Sequence, residues 1–178
     1  MIFFTSDLHL GHRAVIEMNH RPFSDIDEMN KTLIDNINCK VKQDDTLYIL
    51  GDLSFRIPLS QANEFIQQIR CKNKYLLIGN HDKNYDESLF KGMYDFKKVT
   101  LISKNGLNYD ISLMHYPMME WPRSRHGSLH FHGHIHSSEN AYNREMKESG
   151  ILRYDVGVDA NHYKPVSLDE ILEYMGIE

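Results

Sequence analysis

Three times in this chain a short apolar run stops abruptly in a cluster of Asp, Asn, His and Gly. Ile2 to Thr5 runs into Ser6-Asp7-Leu8-His9, Thr46 to Leu50 into Gly51-Asp52, and Tyr75 to Ile78 into Gly79-Asn80-His81-Asp82. Apolar runs this short, rich in β-branched and aromatic residues, read as buried strands. Helical periodicity fills the intervals. Ile26, Met29, Leu33 and Ile37 form one stripe, with Ser24 as N-cap and Asp27 as its capping-box partner. Ala62, Phe65, Ile66 and Ile69 form another, with Ser60 as N-cap. This alternation predicts an α/β fold with a largely parallel sheet, and such sheets bind ligands at the carboxyl ends of their strands.

The second half is richer in strands. Lys97 to Ser103 and Tyr109 to Met114 flank the hairpin signal Asn105-Gly106, and Leu129 to His132 and Leu152 to Val156 read as further strands. Asn143 to Gly150 is polar and is expected to be an exposed loop, a helix is expected to start near Asp86, and Ser167 with Glu170 caps a terminal helix through Leu172. No repeat, low-complexity tract or linker divides the chain, so residues 1–178 are expected to form a single domain.

The net charge of −5 argues against a surface for duplex DNA or an anionic membrane. It leaves room for a small anionic ligand, because bound cations can dominate a local field. Cys39 and Cys71 read as free thiols. With no signal-peptide pattern and no apolar run long enough to span a bilayer, the expected location is cytoplasmic and no membrane partner is expected.

Six of the 11 histidines fall between His115 and His136, and three of them alternate in Phe131-His132-Gly133-His134-Ile135-His136. Continued as a strand, this run would aim three imidazoles to one face, with Ile135 pointing into the core. Imidazole is a common metal ligand.

In order, the pieces are Asp7-Leu8-His9, Gly51-Asp52, Gly79-Asn80-His81, His115 and Gly133-His134-Ile135-His136, each at or just past the end of a predicted strand. This series resembles the five motif blocks of the calcineurin-like metallophosphoesterase family and spans Asp7 to His136. The resemblance implies a two-sheet β-sandwich flanked by helices. It implies that Asp7, His9 and His136 hold one metal, that Asn80, His115 and His134 hold a second, and that Asp52 bridges them. It also implies that His81 assists phosphoryl transfer. Mixed imidazole and carboxylate ligation suits Mn²⁺ as the first expectation, with Zn, Fe or Ni as alternatives, better than ions that take oxygen ligands alone. Two such cations would neutralise phosphoryl oxygens and acidify a bridging water, which then attacks in line with no covalent enzyme intermediate.

The family's serine/threonine protein phosphatases extend the second block to Gly-Asp-x-x-Asp-Arg-Gly. Here Phe55 replaces the second aspartate and Ile57 the final glycine, which argues against a protein phosphatase. Arg56 keeps its register as a candidate phosphate-binding residue, the alternative being an exposed arginine without a role. Between two blocks, Trp121 is a candidate for stacking on a base, and Arg123 and Arg125 for binding phosphate; the alternative for Trp121 is packing at the domain edge. His132 is read as a packing histidine or one supporting the ligands, and His12, His20, His126 and His130 as loop or surface residues. Asp82 either orients His81 or caps the helix near Asp86. The expected activity is that of a phosphodiesterase or broad phosphatase on a small or nucleotide-like substrate. A nuclease fits the acidic chain less well, and a silent scaffold or simple metal-binding protein would not need the full ligand set together with His81.

Overall fold

Neighbouring residues in the first strands belong to different apolar clusters, and that division sets the layers. A computed structural model of the protein describes residues 1–177, apart from the side chain of residue 139. In it β1 (Ile2–Thr5), β2 (Thr46–Ile49), β3 (Asn73–Leu77) and β4 (Gly92–Tyr94) pair in parallel. A second sheet runs β5 (Phe96–Ile102), β6 (Asn108–Met114), β7 (Leu129–His132) and β8 (Arg153–Asp155), with only the β5–β6 pair antiparallel. The last strand, β9 (Val166–Ser167), returns to the first sheet antiparallel to β1.

Phe3, Leu47, Ile49 and Leu76 face Met29, Leu33 and Ile37 of α2 (Ile26–Lys40) and Ala62 and Ile66 of α3 (Leu59–Gln68). A short α1 (Ala14–Met18) precedes them and buries Val15. Phe4, Tyr48, Leu50 and Leu77 point the other way, onto Ile111, Leu113, Leu129, Phe131 and Tyr154 of the second sheet. Burial on both faces explains why these strands read as continuous apolar runs. The far face of the second sheet is polar yet buried, carrying Ser112, His130, His132 and Asp155. It is covered by Trp121, whose ring lies 5.5 Å from that of His130, and by α4 (Ala141–Glu148), whose Tyr142 ring lies 5.2 Å from His132. The architecture is two mixed sheets flanked by helices, as expected. No helix among the described residues is long and apolar enough to cross a membrane, and Cys39 and Cys71 are unpaired.

Several local expectations are corrected. Asp25, not Ser24, caps α2, accepting from Glu28 N–H at 2.8 Å, while Ser24 donates its N–H and hydroxyl back to the Glu28 carboxylate at 2.7 and 2.6 Å. The N-cap is therefore one residue later than expected, and the Glu28 carboxylate binds Ser24 rather than the cap's own N–H, so the box is not closed. Pro58 precedes α3 with its φ at −55°, and Ser60 lies inside the helix rather than capping it. The segment from Asn143 is helix α4, not a loop. It reads as polar because only Asn143 and Met146 are buried, and the Asn143 amide is spent on the backbone of Asp155 at 2.7 and 2.9 Å. Near Asp86 there is a single 3₁₀ turn, Glu87–Leu89. The Ser167–Glu170 capping box does form, and α5 (Leu168–Met175) continues beyond Leu172.

Candidate metal centre

The motif residues follow the carboxyl ends of five strands. Asp7 and His9 come after β1, Asp52 after β2, Asn80 and His81 after β3, His115 after β6, and His134 and His136 after β7. Five of the seven candidate ligands adopt left-handed backbone: Asp7 (φ 57°), His9 (51°), Asp52 (52°), His134 (74°) and His136 (47°). For a residue with a Cβ this costs about 1–2 kcal/mol. Strain of that kind concentrates where surrounding structure forces a side chain into a required direction. The loops that enforce it are cross-linked: Asp7 N–H donates to Gly51 O at 3.1 Å, His9 N–H to Asp52 O at 3.0 Å, and His134 N–H to Asp7 Oδ2 at 2.9 Å.

This corrects the reading of the histidine run. β7 ends at His132, and Ile135 is half-buried in a loop rather than pointing into the core. His134 and His136 are aimed by left-handed turns, not by strand alternation. Gly133 is needed there because a Cβ would overlap the Ser6 hydroxyl and the Asp7 carboxylate, and Gly51 (φ 92°) because one would overlap the His115 ring.

Two groups of metal-ligating atoms result, Asp7–His9–His136 and Asp52–His115–His134, each with its ligand atoms within 4.8 Å of one another. Asp52 Oδ2 lies 3.5 Å from His9 Nε2 and 3.5 Å from His115 Nε2, so it stands between the groups. Asn80 Oδ1 lies 3.0 Å from His115 Nε2 and joins the second group. His136 Nε2 lies 3.1 Å from His9 Nε2. His115 donates its Nδ1–H to Leu50 O at 2.7 Å, which turns the Nε2 lone pair toward Asp52.

The donor set fits divalent cations. Asp7 Oδ1 is buried and makes no hydrogen bond. Burial, reinforced by the nearby Asp155 and Asp52 carboxylates, drives the Asp7 pKa up to about 8 despite His136. An orphaned buried carboxylate oxygen is costly unless a cation or proton satisfies it. Burial also pushes Asp52 upward, but His9, His115 and the His81 N–H (2.9 Å to Oδ1) outweigh it and hold its pKa at about 2.

His81 stands at the mouth, half-buried, with Nε2 3.9 Å from Asp52 Oδ2 and its ring edge-on to Phe55 at 4.6 Å. Phe55 also packs on His12 at 4.0 Å and lies beneath the exposed Arg56 guanidinium at 4.9 Å. Asp82 fills neither expected role. Its carboxylate accepts from Asp52 N–H (2.9 Å), Leu53 N–H (2.8 Å), Gly79 N–H (2.8 Å) and the Tyr85 hydroxyl (2.9 Å), tying the loop after β2 to the loop after β3.

Trp121, Arg123 and Arg125 are not brought to this site. The indole is buried, donates to Ser128 O at 3.0 Å and packs its ring at 5.5 Å from His130, on the far face of the second sheet. Arg123 pairs with Asp110 at 2.8 Å and Arg125 with Glu120 at 2.9 Å. His130 is buried, donating from Nδ1 to Ser112 O at 2.9 Å and accepting from Met118 N–H at 3.0 Å, and burial lowers its pKa to about 4. His132 packs between His130 and Tyr142 and donates to Gly133 O at 2.8 Å. His20 and His126 are exposed. His12 is half-buried, its Nδ1 3.2 Å from His9 Nδ1, and burial lowers its pKa to about 4.

Two residues of the site carry no motif signal. His136 donates from Nδ1 to Asp159 Oδ2 at 2.7 Å, and Arg21 grips the same carboxylate at 2.8 Å through Nε and 2.8 Å through Nη2.

The chain is similar to known proteins in sequence and fold. The family profile "Calcineurin-like phosphoesterase" matches residues 1–147. An uncharacterized protein of Methanocaldococcus jannaschii is 34% identical, with 97% of this chain and 89% of that protein aligned. The Gene 66 protein of Mycobacterium phage L5 is 30% identical over 96% of this chain and 92% of its own length. A crystal structure of a protein of unknown function from Aquifex aeolicus superposes with a TM-score of 0.71 at 27% identity, over 94% of this chain and 95% of that one. The profile match, the near full-length relatives and the convergence of the motif loops at one edge of the sandwich lead to one assignment: this chain belongs to the calcineurin-like phosphoesterase family, whose members carry out metal-dependent phosphoester hydrolysis.

Proposed function

We propose that the protein hydrolyses phosphoesters with two divalent cations, one held by Asp7, His9 and His136, the other by Asn80, His115 and His134, with Asp52 shared between them. The observation that carries this reading is the position of Asp52 Oδ2, 3.5 Å from an imidazole nitrogen of each group. Mn²⁺ is the preferred ion, ahead of Zn, Fe or Ni, for a set of four imidazoles, two carboxylates and an amide. Bound there, the cations would neutralise phosphoryl charge and acidify a water for in-line attack.

The chain's own groups divide the remaining work. Asp52, held ionised by its histidine neighbours, supplies negative charge where two cations meet. His81 stands where it can protonate a leaving oxygen or stabilise equatorial charge in the transition state. Arg56, exposed beside Phe55 at the rim, is positioned to receive a substrate phosphate. A small or nucleotide-like mono- or diester suits the acidic chain better than long nucleic acid, and unpaired cysteines suit a cytoplasmic setting. The test is turnover of bis-p-nitrophenyl phosphate, p-nitrophenyl phosphate and single-stranded oligonucleotides with Mn²⁺ added. Protein that binds two cations and cleaves none of these esters would refute the enzymatic reading.

A further inference from the structure

Three of the candidate ligand histidines have a partner on the outer nitrogen, and the partners differ: His9 Nδ1 lies 3.2 Å from the His12 ring nitrogen. His115 gives its Nδ1–H to a neutral backbone carbonyl, whereas His136 gives its own to a carboxylate. That carboxylate is locked. Arg21 and Asp159 form a two-pronged ion pair with side chains 0% and 4% exposed. The same guanidinium donates to Asp7 O at 2.8 Å and Leu8 O at 3.0 Å, so it ties the first motif loop to Asp159 and, through the Asp159–His136 bond, to the last motif loop. The loop bearing Asp159 is itself fixed by Asn161, which donates to Asp155 O and Gly157 O at 2.9 and 2.8 Å and accepts from the Tyr154 hydroxyl at 2.9 Å. Asn19 Nδ2 also lies 2.6 Å from His136 Nδ1. The amide N–H can only donate, into a bare Nδ1, and also points toward Asp159 Oδ2 at 3.5 Å, whereas the carboxylate can only accept. The charge-assisted bond is the stronger of the two, which places the proton on Nδ1 toward Asp159.

We propose that Asp159, seated by Arg21, is the positioning residue of the Asp7–His9–His136 group: it fixes the Nδ1–H tautomer of His136, presents Nε2 as the ligand, and sets how tightly that half of the site holds its cation. The inference rests on the two-cation reading above. Its consequence is inequivalence. One cation is backed by a charged, arginine-supported clamp reaching two motif loops, and the other by a neutral carbonyl on His115. Lysine cannot replace Arg21, because a single ammonium cannot supply the paired bonds to Asp159 together with those to Asp7 O and Leu8 O.

The test measures Mn²⁺ binding by titration calorimetry and the His136 tautomer by long-range ¹H–¹⁵N spectra of the metal-free protein, for wild type, Asp159→Ala, Asp159→Asn and Arg21→Lys. Loss of a partner behind a metal-bound histidine weakens binding by about 10–100-fold. Asp159→Ala should lose that much at one site, leave the other unchanged and release the fixed tautomer. Asp159→Asn keeps an acceptor, so it should keep the tautomer with a smaller loss, and it decides the matter if the alanine variant does not fold. Arg21→Lys should weaken the same site. Two-site binding in the Asp159 variants equal to wild type, or equal weakening at both sites, overturns the inference while sparing the two-cation reading. Wild-type protein that binds no Mn²⁺ overturns both.

Discussion

Asp82 offers the sharpest perturbation of the scaffold, because one carboxylate organises two motif loops. Asp82→Ala removes the acceptor for the N–H groups of Asp52, Leu53 and Gly79, all three buried residues. The Tyr85 hydroxyl is less affected, since it retains Ser54 at 2.9 Å. A buried donor left without a partner costs about 1–3 kcal/mol. Three of them, taken toward the low end because Asp82 is only half-buried and water can follow, come to about 3–5 kcal/mol. With a urea slope of about 2 kcal/mol/M, the unfolding midpoint should drop by roughly 2 M. Asp82→Asn should fall between wild type and alanine. Its amide can turn toward Tyr85, whose hydroxyl can then donate to Ser54, leaving Leu53 N–H as the one donor facing a donor, at about 1–3 kcal/mol. Mn²⁺ affinity should fall in the same order, because Asp52 and Asn80 ride on the loops that Asp82 joins. An alanine variant within about 0.5 kcal/mol of wild type in urea would refute the assignment, since that is the range of an unremarkable surface substitution.

Other outcomes follow from the same geometry. Asp52→Asn should abolish ester turnover and lower the number of bound Mn²⁺ ions, as read by activity and equilibrium dialysis; full activity would remove Asp52 from its shared position. His81→Ala should lose about 10²–10⁴-fold in kcat while both cations remain bound; loss of the cations instead would make His81 a ligand or a support. The raised pKa of Asp7 means that the cation-free folded chain holds a proton more firmly than the unfolded chain does. Its stability should therefore decline as pH rises from the ordinary 3.8 toward about 8, and saturating Mn²⁺ should flatten that decline in thermal melts.

The strands were legible because they rest on short-range signals, and the candidate ligands through the resemblance of their ordered motif blocks, whose residues the structure brings into two clusters. Continuous apolar runs announce strands buried on both faces, and Phe3 beside Phe4 shows this directly, each facing a different cluster. What the sequence concealed depends on long-range partners. Helix α4 reads as a loop because it turns little apolar surface inward, and its Asn143 finds its purpose only against Asp155. His130 reads as a surface residue until Trp121 and the 116–118 backbone cover it. Arg21 and Asp159 are separated by 138 residues and neither lies in a motif block, so only folding reveals that they share a bond. The histidine run misled for a different reason. Alternation implies a strand only while the backbone stays extended, and after His132 it does not.

The left-handed backbone at Asp7, His9, Asp52, His134 and His136 also bears on how such a protein would decay if selection for activity lapsed. At each of these positions glycine would relax a conformation that a Cβ opposes, and at Asp7 it would also remove an ill-solvated carboxylate. Drift would then favour loss of the candidate ligands themselves, yielding a chain that folds more firmly as it falls silent. Retention of all five against that gradient is what continued selection on the site would look like.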